Sequence, residues 1–190
     1  MSSVLCFVAN DMADFEVTFA IHVLRSVGKR DIITVGKDLS PVISQAGFTY
    51  LPQRTLGQAV DLEDVEALIL PGGPIRQQGD DLNRLILKLN SENKLLAAIC
   101  FGPQHLGRAG ILDNRRYTTS CSEDTIRSLQ VPDPFPRKNY VEARVVRDGN
   151  VITSKGGAFV DFAFAVFDYL GVYCGRDAER QRFYNEVMNR

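Results

Sequence analysis

Apolar and polar positions change period several times along this chain. Residues 4–9 form a short apolar run that stops at Asn10-Asp11. From Asp14 the spacing becomes helical: Phe19, Ala20, Val23, Leu24 and Val27 recur on one face, and Gly28 closes the segment. Residues 31–35 are strand-like again. Residues 37–58 carry Pro41, Gly47, Pro52 and Gly57 among polar positions, which predicts only short extended pieces. Residues 65–70 form the next buried strand, broken by Pro71-Gly72-Gly73-Pro74. Asp80 and Asp81 then head a helix with the stripe Leu82, Leu85, Ile86 and Leu89.

Residues 95–99 are wholly apolar and predict a strand, followed by a helix through 106–109 that ends at Gly110. Residues 117–119 predict a short strand, and the prolines of 130–138 an irregular segment. Residues 140–146 and 151–153 flank Asp148-Gly149, a hairpin signal. Helices over 159–170 and 176–190 complete the pattern. Strands alternate with helices, and three strands are nearly all apolar. That predicts an α/β domain over 1–190, a doubly wound, mostly parallel sheet covered on both faces. Ligands in such folds sit beyond the carboxyl ends of the strands.

Composition narrows the partners. A net charge of -1 gives no basic surplus for nucleic acid. No apolar run approaches the ~20 residues of a membrane span. The opening MSSVLCFVAND reads as a first strand rather than a secretory signal, so a cytoplasmic, reducing location is expected. Cys6, Cys100, Cys121 and Cys174 are scattered, and His22 and His105 are the only histidines. That spacing predicts no metal site. Both histidines are expected on helix surfaces.

Two strand ends carry unusual chemistry: Pro71-Gly72-Gly73 and Cys100-Phe101-Gly102. A thiol at a strand-to-helix corner points out of the sheet and lies near unpaired helical N–H groups, which favour a thiolate. Gly102 permits a tight corner, and Pro103 suits a first helical turn. The Phe101 and Gly73 N–H groups are candidate oxyanion donors. Glu16 heads the apolar stripe of the first helix, so its carboxyl is expected to be buried, protonated and able to donate to the Cys100 thiolate. Cys6 reads as a small buried hydrophobe.

These segments resemble the ThiJ/PfpI family, in the class I glutamine amidotransferase-like superfamily. Residues 97–103, AAICFGP, are similar to its A-I-C-x-G-P segment, and residues 70–73 to its L-P-G-G loop. Phe15-Glu16 and residues 148–157, DGNVITSKGG, match two more of its stretches, in order. The branch most resembled is that of the parkinsonism-associated protein deglycase. The resemblance implies a flavodoxin-like three-layer sandwich, commonly a homodimer, with no required cofactor. It implies Cys100 as the reactive cysteine and Glu16 as its partner, with Gly72, Gly102 and Ser120 lining the site. Ser120 stands where many members place a histidine, which puts a Cys–His base pairing in doubt. Lys155 stands where an arginine is usual.

Two readings of function follow. In the first, Cys100 adds to a small reactive carbonyl in glyoxalase- or deglycase-type chemistry, with slow turnover for want of a histidine. In the second, Cys100 is an oxidisable sensor or part of a stress chaperone, with Cys121 as a resolving thiol if it lies near. Cysteine peptidase, amidase and isonitrile hydratase activities rank lower.

Overall fold

The computed structural model describes residues 2–188. The first half of the chain forms β1 (Ser3–Phe7), α1 (Phe15–Ser26) and β2 (Asp31–Gly36). Three two-residue strands follow, β3 (Val42–Ile43), β4 (Thr49–Tyr50) and β5 (Arg54–Thr55), and then α2 (Leu56–Val60). Next come β6 (Val65–Leu70), α3 (Asp80–Ser91), β7 (Leu95–Ile99) and α4 (Pro103–Arg108). The remainder holds α5 (Glu123–Leu129), β8 (Val145–Asp148), β9 (Val151–Ser154), α6 (Phe159–Tyr169) and α7 (Asp177–Met188).

The main sheet has the order β5-β2-β1-β6-β7-β9-β8. All its pairings are parallel except β8 with β9, whose hairpin turns at Gly149 with φ 61°. This is the expected α/β sandwich. β6 and β7 are buried on both faces because helices cover both, which is why their sequences are unbroken apolar runs. Period-2 alternation divides them: Leu96 and Ala98 join one core, and Leu95, Ala97 and Ile99 the other.

The first core packs Leu82, Leu85, Ile86 and Leu89 of α3 with Leu56 and Ala59 of α2. The second packs Val17, Ala20, Val23 and Leu24 of α1 against Phe162, Val166 and Phe167 of α6. Each fully buried side chain of this size adds ~1.5–3 kcal/mol. The cores thereby fix the loops at the carboxyl ends of the parallel strands.

Several expectations are corrected. Two helices, α2 and α5, stand where none was expected. Residues 117–119 form no strand: Tyr117 makes a single bridge to Tyr140. Residues 140–144 lie outside β8. β3 and β4 pair as a separate antiparallel ribbon. It is tied to the segment before α1, where the Asp14 carboxylate accepts from Ser44 at 2.8 Å and Tyr50 at 3.0 Å.

Candidate active site

β7 ends at Ile99, and the next residue turns the chain sharply. Cys100 has φ 60°, a left-handed conformation that costs a non-glycine residue roughly 1–2 kcal/mol. The surroundings impose it. The Cys100 N–H donates to Ser154 O at 2.8 Å, while Cys100 O accepts from the Ser120 N–H at 3.0 Å and the Thr119 hydroxyl at 2.6 Å. Gly102 then donates to Ile99 O at 2.7 Å. A Cβ at Gly102 would lie 2.4 Å from Leu70 O, so the corner requires glycine there. A strained residue held from several sides at a strand end is a signature of functional sites.

The Cys100 side chain meets Glu16, from the first turn of α1. Glu16 is buried, and its carboxyl is hydrogen-bonded to the Cys100 thiol and accepts the Gly72 N–H at 2.8 Å. Two glycines leave room for the pair. A Cβ on Gly72 would fall 2.4 Å from Glu16 Oε2 and 2.7 Å from Cys100 Cβ. A Cβ on Gly156 would fall 2.7 Å from Glu16 Oε1 and 3.0 Å from Cys100 Sγ. Gly156 was not singled out from sequence; its available signal is the Gly156-Gly157 pair directly after a buried strand.

The proton balance differs from the expected thiolate. Burial pushes the Cys100 thiol up to about 12, and the Glu16 charge and hydrogen bond act in the same direction. The Ser120 hydroxyl and Phe101 N–H act against it. Burial also raises the Glu16 carboxyl, opposed by its bonds to Cys100 and Gly72. The two groups titrate as a unit, and the thiol is the weaker acid of the two. A helix as short as α4, six residues, brings too little dipole to reverse this.

The other expected residues gather here too. Ser120 bonds Cys100 through its hydroxyl, and its Oγ accepts the Gly156 N–H at 2.9 Å. Gly73 has φ 149° and lies against Asp11 O and the Arg76 guanidinium. Its loop is strapped to α4 by a residue sequence reading passed over. The Gln104 amide donates to Pro74 O at 3.0 Å and accepts the Arg76 N–H at 3.0 Å. Lys155 pairs with Glu142 instead of reaching the sulfur.

His22 is exposed, as expected. His105 is not a surface residue. It is 3 % exposed, edge-on to Phe7 and hydrogen-bonded to Gln78 from the segment before α3. Cys6 is the expected buried hydrophobe, its thiol pushed up to about 12 by burial. Cys121 packs into the α3-side core, whereas Cys100 packs against the opposite one, so the resolving-thiol expectation lacks support. Among the described residues, no group of three His, Cys, Asp or Glu side chains is placed to hold a metal ion. No described helix is long and apolar enough to cross a membrane.

Comparison with known proteins finds relatives of this fold along most of the chain. The model of the DJ-1/PfpI family matches residues 2–168. A protein named a deglycase from Pyrococcus horikoshii is 29% identical over 157 residues, covering 80% of this chain and 89% of its own. Protein DJ-1alpha of Drosophila melanogaster is 29% identical over 177 residues, covering 87% and 76%. The crystal structure of a DJ-1 superfamily protein from Agrobacterium tumefaciens superposes with a TM-score of 0.80 at 27% identity, covering 98% of this chain and 100% of that one.

Proposed function

The chain belongs to the DJ-1/PfpI family, and from that premise we propose that it acts on small reactive carbonyls through Cys100, in glyoxalase- or deglycase-type chemistry. The observation that carries this reading is the hydrogen-bonded Cys100–Glu16 pair at the strained strand end. Curated relatives bearing the deglycase name support the same class.

In this reading Glu16 takes the thiol proton as sulfur attacks the aldehyde carbon of a 2-oxoaldehyde. The S–C bond forms as the C=O π bond opens, giving a hemithioacetal. Its oxyanion is met by the Phe101 and Gly73 N–H groups. Glu16 first gives the thiol proton to the hemithioacetal oxygen. It then takes the proton from the first carbon, the first hydroxyl's proton passes to the second oxygen, and Glu16 returns its proton to the second carbon, giving a 2-hydroxy thioester. Water cleaves the S–C bond, releasing a 2-hydroxy acid and restoring the thiol. One water is consumed and no net oxidation occurs. Ser120 has no useful basicity near neutral pH, so turnover is slow, general acid–base help being worth roughly 10²- to 10⁴-fold. A thiol held protonated is also a poor target for peroxide, which weighs against the sensor reading.

The expected homodimer finds support in an apolar surface beside the site. Phe15, Ile43, Phe48 and Leu51 are 54%, 56%, 66% and 63% exposed, at the start of α1 and on or beside the β3–β4 ribbon. Burial against a second copy accounts for such a cluster on a soluble surface. Phe48→Asp converting a dimer to a monomer in light scattering supports this; an unchanged mass removes it. The activity is tested by methylglyoxal consumption. Wild type consumes it and Cys100→Ser does not; equal rates overturn the proposal.

A further inference from the structure

A cleft of about 820 Å³ opens at the carboxyl ends of β1 and β2. Cys100 and Glu16 do not line it. Its floor includes Phe7, Leu56 and Leu82, members of the α3-side core, so it lies across the sheet from the packing of α1. Val42 and Pro41 form part of its rim. A cavity of this size with an apolar floor fits a small organic molecule.

One polar group in its wall is built in an unusual way. His105 is almost wholly buried and borders the cleft. Its Nδ1 lies 2.6 Å from Gln78 Oε1. The Gln78 amide nitrogen donates to His105 O at 3.0 Å and to Asn83 Oδ1 at 2.6 Å. A backbone carbonyl only accepts, so the orientation of the Gln78 amide is fixed. Gln78 Oε1 must then accept from Nδ1–H, and the ring's lone pair falls on Nε2. Among the described residues Nε2 has no hydrogen-bond partner and is not sealed from free space. The ring also borders a pocket of about 10 Å³, room for at most one water.

We propose that this cleft is a binding site for a small uncharged molecule, with an aromatic or aliphatic body and one hydroxyl or N–H group that donates to His105 Nε2. The charges define the class. An anion meets a lone pair and no donor from this ring. Lys37 and Arg76 share the lining with Asp38, Asp80 and Asp81, so the wall carries both signs and draws in neither a cation nor an anion by net charge. A neutral donor satisfies Nε2 while its body covers Phe7, Leu56 and Leu82.

The site is independent of the elbow chemistry and is tested separately, with phenol as probe and toluene and benzoate as controls. Phenol titrated into the wild-type protein is followed by ¹H–¹⁵N spectra and by the His105 ring nitrogens. Phenol is expected to shift the amides of Asn10, Val42 and Gly79 and the Nε2 resonance, with Kd on the order of 1 mM. Toluene, lacking the donor, binds about tenfold more weakly. His105→Phe brings phenol and toluene to the same affinity. Val42→Trp closes the rim away from the Gln78 contacts and abolishes both, and Cys100→Ser changes neither. Equal binding of phenol and toluene to wild type overturns the proposal. So does a Val42→Trp protein that still binds, or the absence of any shift, which leaves Nε2 to a water alone.

Discussion

The Glu16 carboxyl and the Cys100 thiol are hydrogen-bonded to each other, and of the two it is the acid that gives up its proton first. Sulfur is therefore a latent nucleophile, activated by transfer of its proton to Glu16 during attack. Alkylation by iodoacetamide tests this, in a Cys174→Ser background that removes the exposed thiol. The Cys100 rate is expected to keep rising well beyond pH 8.5, the range of an ordinary cysteine. Glu16→Gln removes the charge that raises the thiol, so its profile shifts to lower pH. A wild-type pKa at or below the ordinary value, or an upward shift in Glu16→Gln, contradicts the assignment.

The same variant carries a stability signature. Glu16 has a folded pKa above its ordinary value of 4.5. The folded state therefore binds more protons than the unfolded one above pH 4.5, and this carboxyl's contribution falls as pH rises through that range. Glu16→Gln is expected to melt higher than wild type at pH 7, with the gain shrinking towards pH 4. An equal or lower melting temperature at pH 7 speaks against a strained, desolvated acid.

Close approach to the pair sets a third expectation. Gly72→Ala and Gly156→Ala each drive a methyl group against Glu16 and Cys100. Overpacking of this kind costs ~1–3 kcal/mol and displaces the reacting atoms. Both variants should lose most methylglyoxal turnover and unfold at lower denaturant. Gly157→Ala, with nothing within 4 Å of the added carbon, is the control that keeps both. Activity surviving in Gly72→Ala would show that the pair is not the reacting centre.

Much of this was legible from residue order. β6 and β7 were read to the residue, because a strand buried on both faces must be apolar throughout. The corner marks Cys100 and the stripe marks Glu16, while their pairing is what the family resemblance implies. The failures were non-local or short. α5 buries only Ile126, leaving no periodicity to detect, and its remaining signal was the Ser122 cap. α2 spans five residues and was marked only by the Thr55–Gln58 capping box. The thiol's protonation depends on how deeply two distant segments bury each other, which no local pattern states. Likewise His105 is covered by Phe7 and Gln78, from segments far earlier in the chain.

Gln104 offers a way to loosen the Gly73 loop without touching the sulfur. Gln104→Ala leaves the Arg76 N–H and the Pro74 carbonyl without their side-chain partner. Both groups are only partly buried and can turn to water, so losing these hydrogen bonds costs ~0.5–1.5 kcal/mol. If Gly73 supplies an oxyanion donor, kcat falls more than KM rises, because the contact matters only in the transition state. Gln104→Glu keeps the acceptor for Arg76 and should recover part of the loss. A change confined to stability, with kcat intact, removes Gly73 from the proposed machinery.

Acid sensitivity should centre on His105. Burial, with Arg76 and Arg108, lowers its pKa from 6.5 to about 3. Between those values the unfolded chain binds a proton that the folded protein refuses. Stability due to this group is thus complete above about pH 6.5 and declines as pH falls towards 3. The loss between pH 7 and pH 5 amounts to about 2 kcal/mol. Glu16 acts with opposite sign above pH 4.5, so the measurement is the difference between wild type and His105→Leu, from urea unfolding at each pH. The variant is less stable at pH 7, where Gln78 loses its partner, but its stability falls less steeply on acidification. Parallel acid limbs would mean that His105 already carries its proton in the folded protein, and the Nε2 lone pair that faces free space would not exist.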